Sequence, residues 1–220
     1  LWPLGDNLEF EYTYPQPYHG CLWLENTGNW TFTPKRISSF GGCYAAAMSD
    51  LDNDGDNDVV LVSLCNDWHV PGHASIVWLE NDGHQNFTTW QIDDTPTHLV
   101  TVGCGDINGD GFSDLLITTQ FRGQIFELLN SAGCAFTSQV FDSLLLSPFD
   151  AFTNDIDNDG DNDIVEGTDS AIFLAINNGT IFNQKIHHFG IGWCSFTKNI
   201  LISMQRLKFL ETSFSYFFLL

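Results

Sequence analysis

Asp50-Leu-Asp-Asn-Asp-Gly-Asp-Asn-Asp58 is the stretch on which the fold reading turns, because it recurs twice more as Asp106-Ile-Asn-Gly-Asp-Gly-Phe-Ser-Asp114 and Asp155-Ile-Asp-Asn-Asp-Gly-Asp-Asn-Asp163. A self-similarity spaced by about fifty residues is the mark of a propeller or solenoid. A second landmark keeps step with the first. Leu24-Glu-Asn-Thr-Gly28, Leu79-Glu-Asn-Asp-Gly83, Leu129-Asn-Ser-Ala-Gly133 and Ile176-Asn-Asn-Gly179 each follow an apolar segment and precede Phe32, Phe87, Phe136 or Phe182.

Between the landmarks each repeat reads as four short strands. The run after each Asp loop (Val59 to Leu64, Leu115 to Thr119, Ile164 to Val165) is apolar or nearly so, as a strand covered on both faces requires. The Asn-Gly and Asp-Gly turns further on signal hairpins, because a type I′ turn needs positive φ. Helical periodicity is absent. The expected architecture is all-β, a propeller of four-stranded antiparallel blades forming an incomplete ring; a linear β-solenoid, which uses shorter repeats, is the other architecture considered.

The repeat divides the chain into a partial blade over 1–38 (strands two to four), blades with an Asp loop over 39–95, 96–142 and 143–188, and a degenerate or truncated blade over 189–220. Gly5-Asp-Asn-Leu-Glu-Phe10 echoes Gly55-Asp-Asn-Asp-Val-Val60, so the chain reads as entering on the tail of a degenerate loop. Phe196-Thr-Lys-Asn-Ile200 aligns with Phe152-Thr-Asn-Asp-Ile156, but Leu201-Ile-Ser-Met-Gln-Arg206 stands where carboxylates belong. Decay of a terminal repeat accounts for this; so does a reading-frame slip, since Asp-Ile-Asp codons read one base late can yield Ile200-Leu-Ile202. The sequence is accordingly read as part of a longer propeller.

Composition narrows the function. The 28 Asp and Glu against 7 Lys and Arg give a net charge of −21, which repels nucleic acid and anionic membrane surfaces and points to cations as partners. Thirteen of the acids lie in the three repeated windows, so the charge is local chemistry. No apolar run is long enough to span a bilayer, and no leader pattern is visible.

Calcium is a hard cation that takes six to eight oxygens. Carboxylates or amides at loop positions 1, 3, 5 and 9, a backbone carbonyl at 7 and glycine at the bend at 6 would supply them. The candidate ligands are Asp50, Asp52, Asp54, Asp58 and the carbonyl of Asp56; Asp106, Asn108, Asp110, Asp114 and the carbonyl of Phe112; and Asp155, Asp157, Asp159, Asp163 and the carbonyl of Asp161. About three Ca²⁺ ions are expected. An EF-hand opens alike but closes on a Glu at position 12 between helices; here Leu61, Ile117 and Glu166 stand there and β-rich runs follow.

These loops, each followed by a buried strand, resemble the FG-GAP and VCBS repeats of integrin α-subunit propellers and of many secreted proteins, over about residues 5–196. The resemblance implies that the loop joins the first two strands of a blade, that the metal is structural, and that seven blades are common. The literal Phe-Gly…Gly-Ala-Pro pattern survives only as Phe40-Gly41 and Phe189-Gly190, so integrin-type ligand binding does not follow.

No nucleophile elbow, phosphate loop or nucleotide fingerprint is present. His69-Val-Pro-Gly-His73 reads as a surface insertion, with similar caution at His187-His188, and Trp23 and Trp78, matched by Leu128 and Leu174 in later repeats, read as blade core. The six cysteines (21, 43, 65, 104, 134 and 194) fit no zinc spacing and are either disulfides or buried thiols. Asn29, Asn86 and Asn178 open Asn-x-Thr sequons beside turns, as possible glycosylation sites. The expected function is a non-enzymatic, extracellular, calcium-binding module for protein or glycan binding and adhesion. The alternative is a fragment of a carbohydrate-active enzyme of the polysaccharide lyase or sugar dehydratase type, against which the few, scattered basic residues argue.

Overall fold

The computed structural model describes residues 19–64, 73–119, 123–132, 134–143, 148–168, 172–179 and 183–187. Among them there is no helix. Two strands, β1 (Cys21–Gly28) and β2 (Thr31–Ser38), form a hairpin. Three four-stranded sheets follow in chain order: β3 (Cys43–Ser49), β4 (Asp58–Ser63), β5 (Ile76–Asn81), β6 (Phe87–Asp93); β7 (Leu99–Gly105), β8 (Asp114–Thr119), β9 (Ile125–Leu129), β10 (Thr137–Asp142); and β11 (Pro148–Asn154), β12 (Asp163–Thr168), β13 (Ile172–Ile176), β14 (Asn183–His187). Every neighbouring pair within a sheet is antiparallel. Each sheet is therefore a meander built from its own repeat, the blade of a propeller, and not the coil of a solenoid.

The first strands of successive sheets lie side by side: β3 against β7, and β7 against β11. Their residues are small where backbones approach. Gly103 carries no Cβ because one would press on the Ala151 carbonyl oxygen at 3.1 Å. The second strand of each sheet is the most enclosed; all residues of β4 and β8 are buried, and in β12 Asp163, Ile164, Glu166 and Thr168 are buried with Val165 and Gly167 half-buried between them. The fourth strands, β6 and β10, are largely exposed.

The core lies in the seams between sheets. Leu51, Val60, Val62, Ile76 and Trp78 of one sheet meet Leu99, Val102, Leu115, Ile117 and Leu128 of the next. Ile107, Leu116 and Ile125 then meet Ala151, Ile164 and Ala175 in the following seam. Because each blade is coated on both faces, burial needs neighbours, which is why the repeat is the unit of sequence but the seam is the unit of stability.

Cys21, Cys43, Cys104 and Cys134 are free thiols, so of the two alternatives left open by the sequence the unpaired one holds for them. Burial pushes Cys43 and Cys104 up to about 12, with the Cys21 neighbour adding to the effect at Cys43. They are inert packing groups. The second strand of the partial blade, the tail over 189–220, the Ile200-Leu-Ile202 triplet, Cys65, Cys194, His69 and His188 lie outside the described residues.

Candidate metal centre

Each Asp loop joins the first strand of its sheet to the second. Pairing of Ser49 with Asp58, Gly105 with Asp114 and Asn154 with Asp163 closes the three loops at the same point of the ladder. Strands on both sides dispose of the EF-hand reading.

The loops are wound around their own carboxylates. Position 1 takes two or three backbone donors: Asp50 accepts the N–H groups of Asp54 (3.1 Å) and Gly55 (3.0 Å), Asp106 those of Gly109 (2.7 Å), Asp110 (3.2 Å) and Gly111 (2.9 Å), and Asp155 those of Asp159 and Gly160 (both 3.1 Å). Position 5 accepts the N–H of position 7: Asp56 to Asp54 at 2.9 Å, Phe112 to Asp110 at 3.0 Å, Asp161 to Asp159 at 3.0 Å. Such a winding needs left-handed backbone twice, at glycine 55, 111 and 160 and, two residues earlier, at Asn53, Gly109 and Asn158. Asparagine and glycine are the residues that tolerate it, a signal at position 4 that sequence reasoning passed over.

Position 9 is different. Asp58, Asp114 and Asp163 are fully buried at the start of the second strand. One oxygen of each accepts the N–H of loop position 2 (Leu51 3.2 Å, Ile107 2.8 Å, Ile156 2.8 Å); the other accepts the N–H at the end of the third strand or just past it (Asn81 2.8 Å, Asn130 2.7 Å, Asn177 2.8 Å). Burial pushes the carboxyls of Asp58 and Asp114 up, against the pull of these donors. Through these two oxygens the ninth residue staples the loop to its hairpin.

Carboxylate oxygens of Asp50, Asp52 and Asp54 lie within 4.8 Å of one another, as do those of Asp155, Asp157 and Asp159. Oxygens on a sphere of Ca–O radius ~2.3–2.6 Å are separated by up to about 5 Å, so these sets fit the ion in both type and spacing. The second loop has Asn108 in the middle place, with its amide oxygen accepting the Asp110 N–H at 2.9 Å. Partial desolvation first, and the neighbouring carboxylates next, hold Asp52 and Asp157 above the ordinary carboxylate range. At position 7 the Asp56 side chain lies against Gly83 and that of Asp161 against Gly179, leaving the carbonyl as the group available to the loop.

The sequon residues Asn29, Asn86 and Asn178 lie in the turns between third and fourth strands, all exposed. The register also corrects one alignment. Trp78 pairs with Val60, two residues into β4, and the residue that pairs with Leu116 two residues into β8 is Glu127, not Leu128. Leu174 does hold the equivalent place, opposite Val165. Across the hairpin, Trp23 faces Lys35 and carries its ammonium 4.6 Å above the ring, Trp78 faces Trp90, and Glu127 faces Gln139, whose amide donates to it at 2.7 Å.

Loop, ladder and blade together define a repeat protein whose four-stranded sheets each carry an Asp-rich loop between their first two strands. Residues 50–117, which hold the first two Asp loops, match the family model described as FG-GAP-like repeat, in line with the resemblance seen in those loops. Among curated proteins none matches the sequence. Of solved structures, one that is similar in fold is a lectin of Agrocybe aegerita, described as specifically recognising non-reducing terminal N-acetylglucosamine, at TM-score 0.53 and 16% identity over 76% of this chain and 47% of the lectin. This chain thus spans about half the length of that lectin. No helix among the described residues is long and apolar enough to cross a membrane.

Proposed function

We propose that this chain is a calcium-stabilised propeller module that acts outside the cytoplasm by binding glycans. The observation that carries the reading is the convergence of three carboxylates within 4.8 Å at the same corner of two different sheets. Unneutralised, such clusters repel themselves, and a divalent ion relieves the repulsion while tying the first strand of the blade to the second. A bound Ca²⁺ would supply the positive charge that lets these oxygens lie close together. The chain's own residues do the rest: positions 1, 3 and 5 present oxygens, position 6 bends, and position 9 anchors. Glycan binding is supported by the fold shared with a lectin and by the lack of any catalytic constellation among the motifs of the sequence. The sequons and the high calcium outside cells support the location.

Extracellular modules of this kind hold calcium at about 10⁻⁴ to 10⁻³ M. At about 10 mM calcium each loop would then add roughly 2 kcal/mol to folding stability by mass action. The test is thermal unfolding of the full chain in excess chelator and in calcium, beside a glycan array probed in calcium. A rise in Tm with calcium, absent with potassium at equal ionic strength, is expected. A Tm indifferent to calcium sinks the metal reading, and an array without hits sinks the glycan reading.

A further inference from the structure

We infer that the outer mouth of the seam between the β3–β6 and β7–β10 sheets is a saccharide cleft that takes one neutral pyranose ring, with Trp90 as the stacking face and Glu80 as hydroxyl acceptor. This rests on the glycan-binding reading and assigns it a place.

The cleft encloses about 330 Å³ and is lined by Trp78, Glu80, Trp90 and Gln91 from one sheet and by Cys134 and Phe136 from the turn and strand approach of the next. That volume is at the small end of ligand pockets, ~300–1,000 Å³, which suits a terminal sugar and not a long chain. Its aromatic wall is built in two layers. Trp78 is the buried layer, 9% exposed and part of the seam core, while Trp90, opposite it across the hairpin, is 51% exposed. Their ring centroids are 6.5 Å apart with planes tilted by 30°. The Trp90 indole N–H donates to Glu80 Oε2 at 2.6 Å, which holds the ring in one orientation.

A large apolar ring left half in water and fixed there by a charged acceptor is the informative case in a surface; exposed rings without a partner elsewhere are ordinary. The equivalent places in the other sheets differ in kind. Lys35 covers Trp23, and Gln139 satisfies a buried Glu127. Trp23 has a carboxylate beside it as well, Glu25, but Lys35 lies over that ring and pairs with that carboxylate at 3.0 Å, whereas Trp90 stays 51% exposed with Glu80 holding its indole N–H. A pyranose presents the complement, an apolar C–H face rimmed by hydroxyl donors. The Glu80 carboxylate and the net charge of −21 exclude sialic, uronic and sulfated sugars in favour of neutral or N-acetylated ones.

The experiment is saturation-transfer NMR and calorimetry on the full chain in calcium, with N-acetylglucosamine, N-acetylgalactosamine, glucose, galactose and mannose as probes, beside N-acetylneuraminic acid and glucuronic acid as anionic controls. At least one should bind, with Trp90→Ala weakening it tenfold or more, Glu80→Gln several-fold, and Trp90→Phe by less than Trp90→Ala. Tm of each variant in calcium checks the fold, and if Trp90→Ala unfolds, the Phe and Gln variants carry the test. Wild-type binding that survives Trp90→Ala within twofold overturns the cleft and leaves the glycan reading standing. No binding of any probe, here and on the array, removes both, and preference for anionic sugars overturns the assignment of ligand class.

Discussion

The side-chain amide of Asn130 donates to the carbonyl of Leu51 at 2.8 Å, across the seam between two sheets and 79 residues back along the chain. The same amide reaches Ser113 at 3.1 Å in its own sheet. Asn177 repeats the arrangement one repeat later, donating to Ile107 at 3.0 Å and Asn162 at 3.1 Å. Asn130 and Asn177, each just past the third strand of its sheet, therefore read two Asp loops at once, their own and that of the preceding blade. Leu51 and Ile107 are the second residues of those loops, so the acidic corner of one blade is fastened to the hairpin of the next.

Asn130→Ala removes both bonds from a buried site and leaves the two carbonyls to be resatisfied; the expected loss is about 1–3 kcal/mol. Asn81 is half-buried and donates to Asn57 at 3.1 Å in a solvent-exposed bond, and Asn81→Ala should cost under about 1 kcal/mol. Urea denaturation of both variants in calcium checks the contrast. Equal midpoints for the two would refute the seam role.

Gly105 faces the third sheet, where a Cβ would run into Thr153 Oγ1 and lie 3.5 Å from the Asn162 amide nitrogen. Thr153 Oγ1 donates to the Cys104 carbonyl at 3.2 Å, so the intrusion breaks a cross-seam bond as well as overpacking it. Gly105→Ala should destabilise by roughly 1–3 kcal/mol. Thr153→Ala in the same chain should return part of the loss, a coupling that a double-mutant cycle measures directly. Strict additivity would show that the clash is elsewhere.

Glu166 is a buried carboxyl whose pKa burial raises to about 7, with the Asp142 charge adding to the rise. An acid with a raised folded-state pKa binds its proton more tightly when folded. The stability it contributes is thus present in full at about pH 4.5 and lost as the pH climbs through about 7. Glu166→Gln, which cannot ionise, should melt higher than wild type at pH 8 by an amount worth on the order of 1–3 kcal/mol, and should match it at pH 4.5. Melting curves across that range are the measurement; parallel curves at all pH values would contradict it.

The Asp loops and their fifty-residue recurrence could be read directly because the contacts that wind each loop on itself are local. Position 1 is bonded to positions 5 and 6, position 5 to position 7, and glycine at 6 is required by its own backbone. Asn53 and Asn158 were equally legible, as residues that accept a left-handed turn, but the eye is drawn to carboxylates. The matching of Trp78 with Leu128 failed for a physical reason. Apolar was aligned with apolar, whereas the register is set where the third-strand hairpin meets the ninth loop residue, and that places Glu127 opposite Gln139 in a buried slot. A buried glutamate satisfied by an amide on the next strand has no signature in either segment alone.

Local order along the chain was sufficient to determine the number of strands per repeat, the turn that separates them, and the groups gathered at each acidic corner, since these depend on backbone preferences and on neighbours within about nine residues. Which faces meet was decided only in three dimensions. The seam bonds of Asn130 and Asn177, the raised pKa of Glu166 and the layered Trp78–Trp90 wall all arise from packing one sheet on another, and burial is a property of that packing, not of any segment.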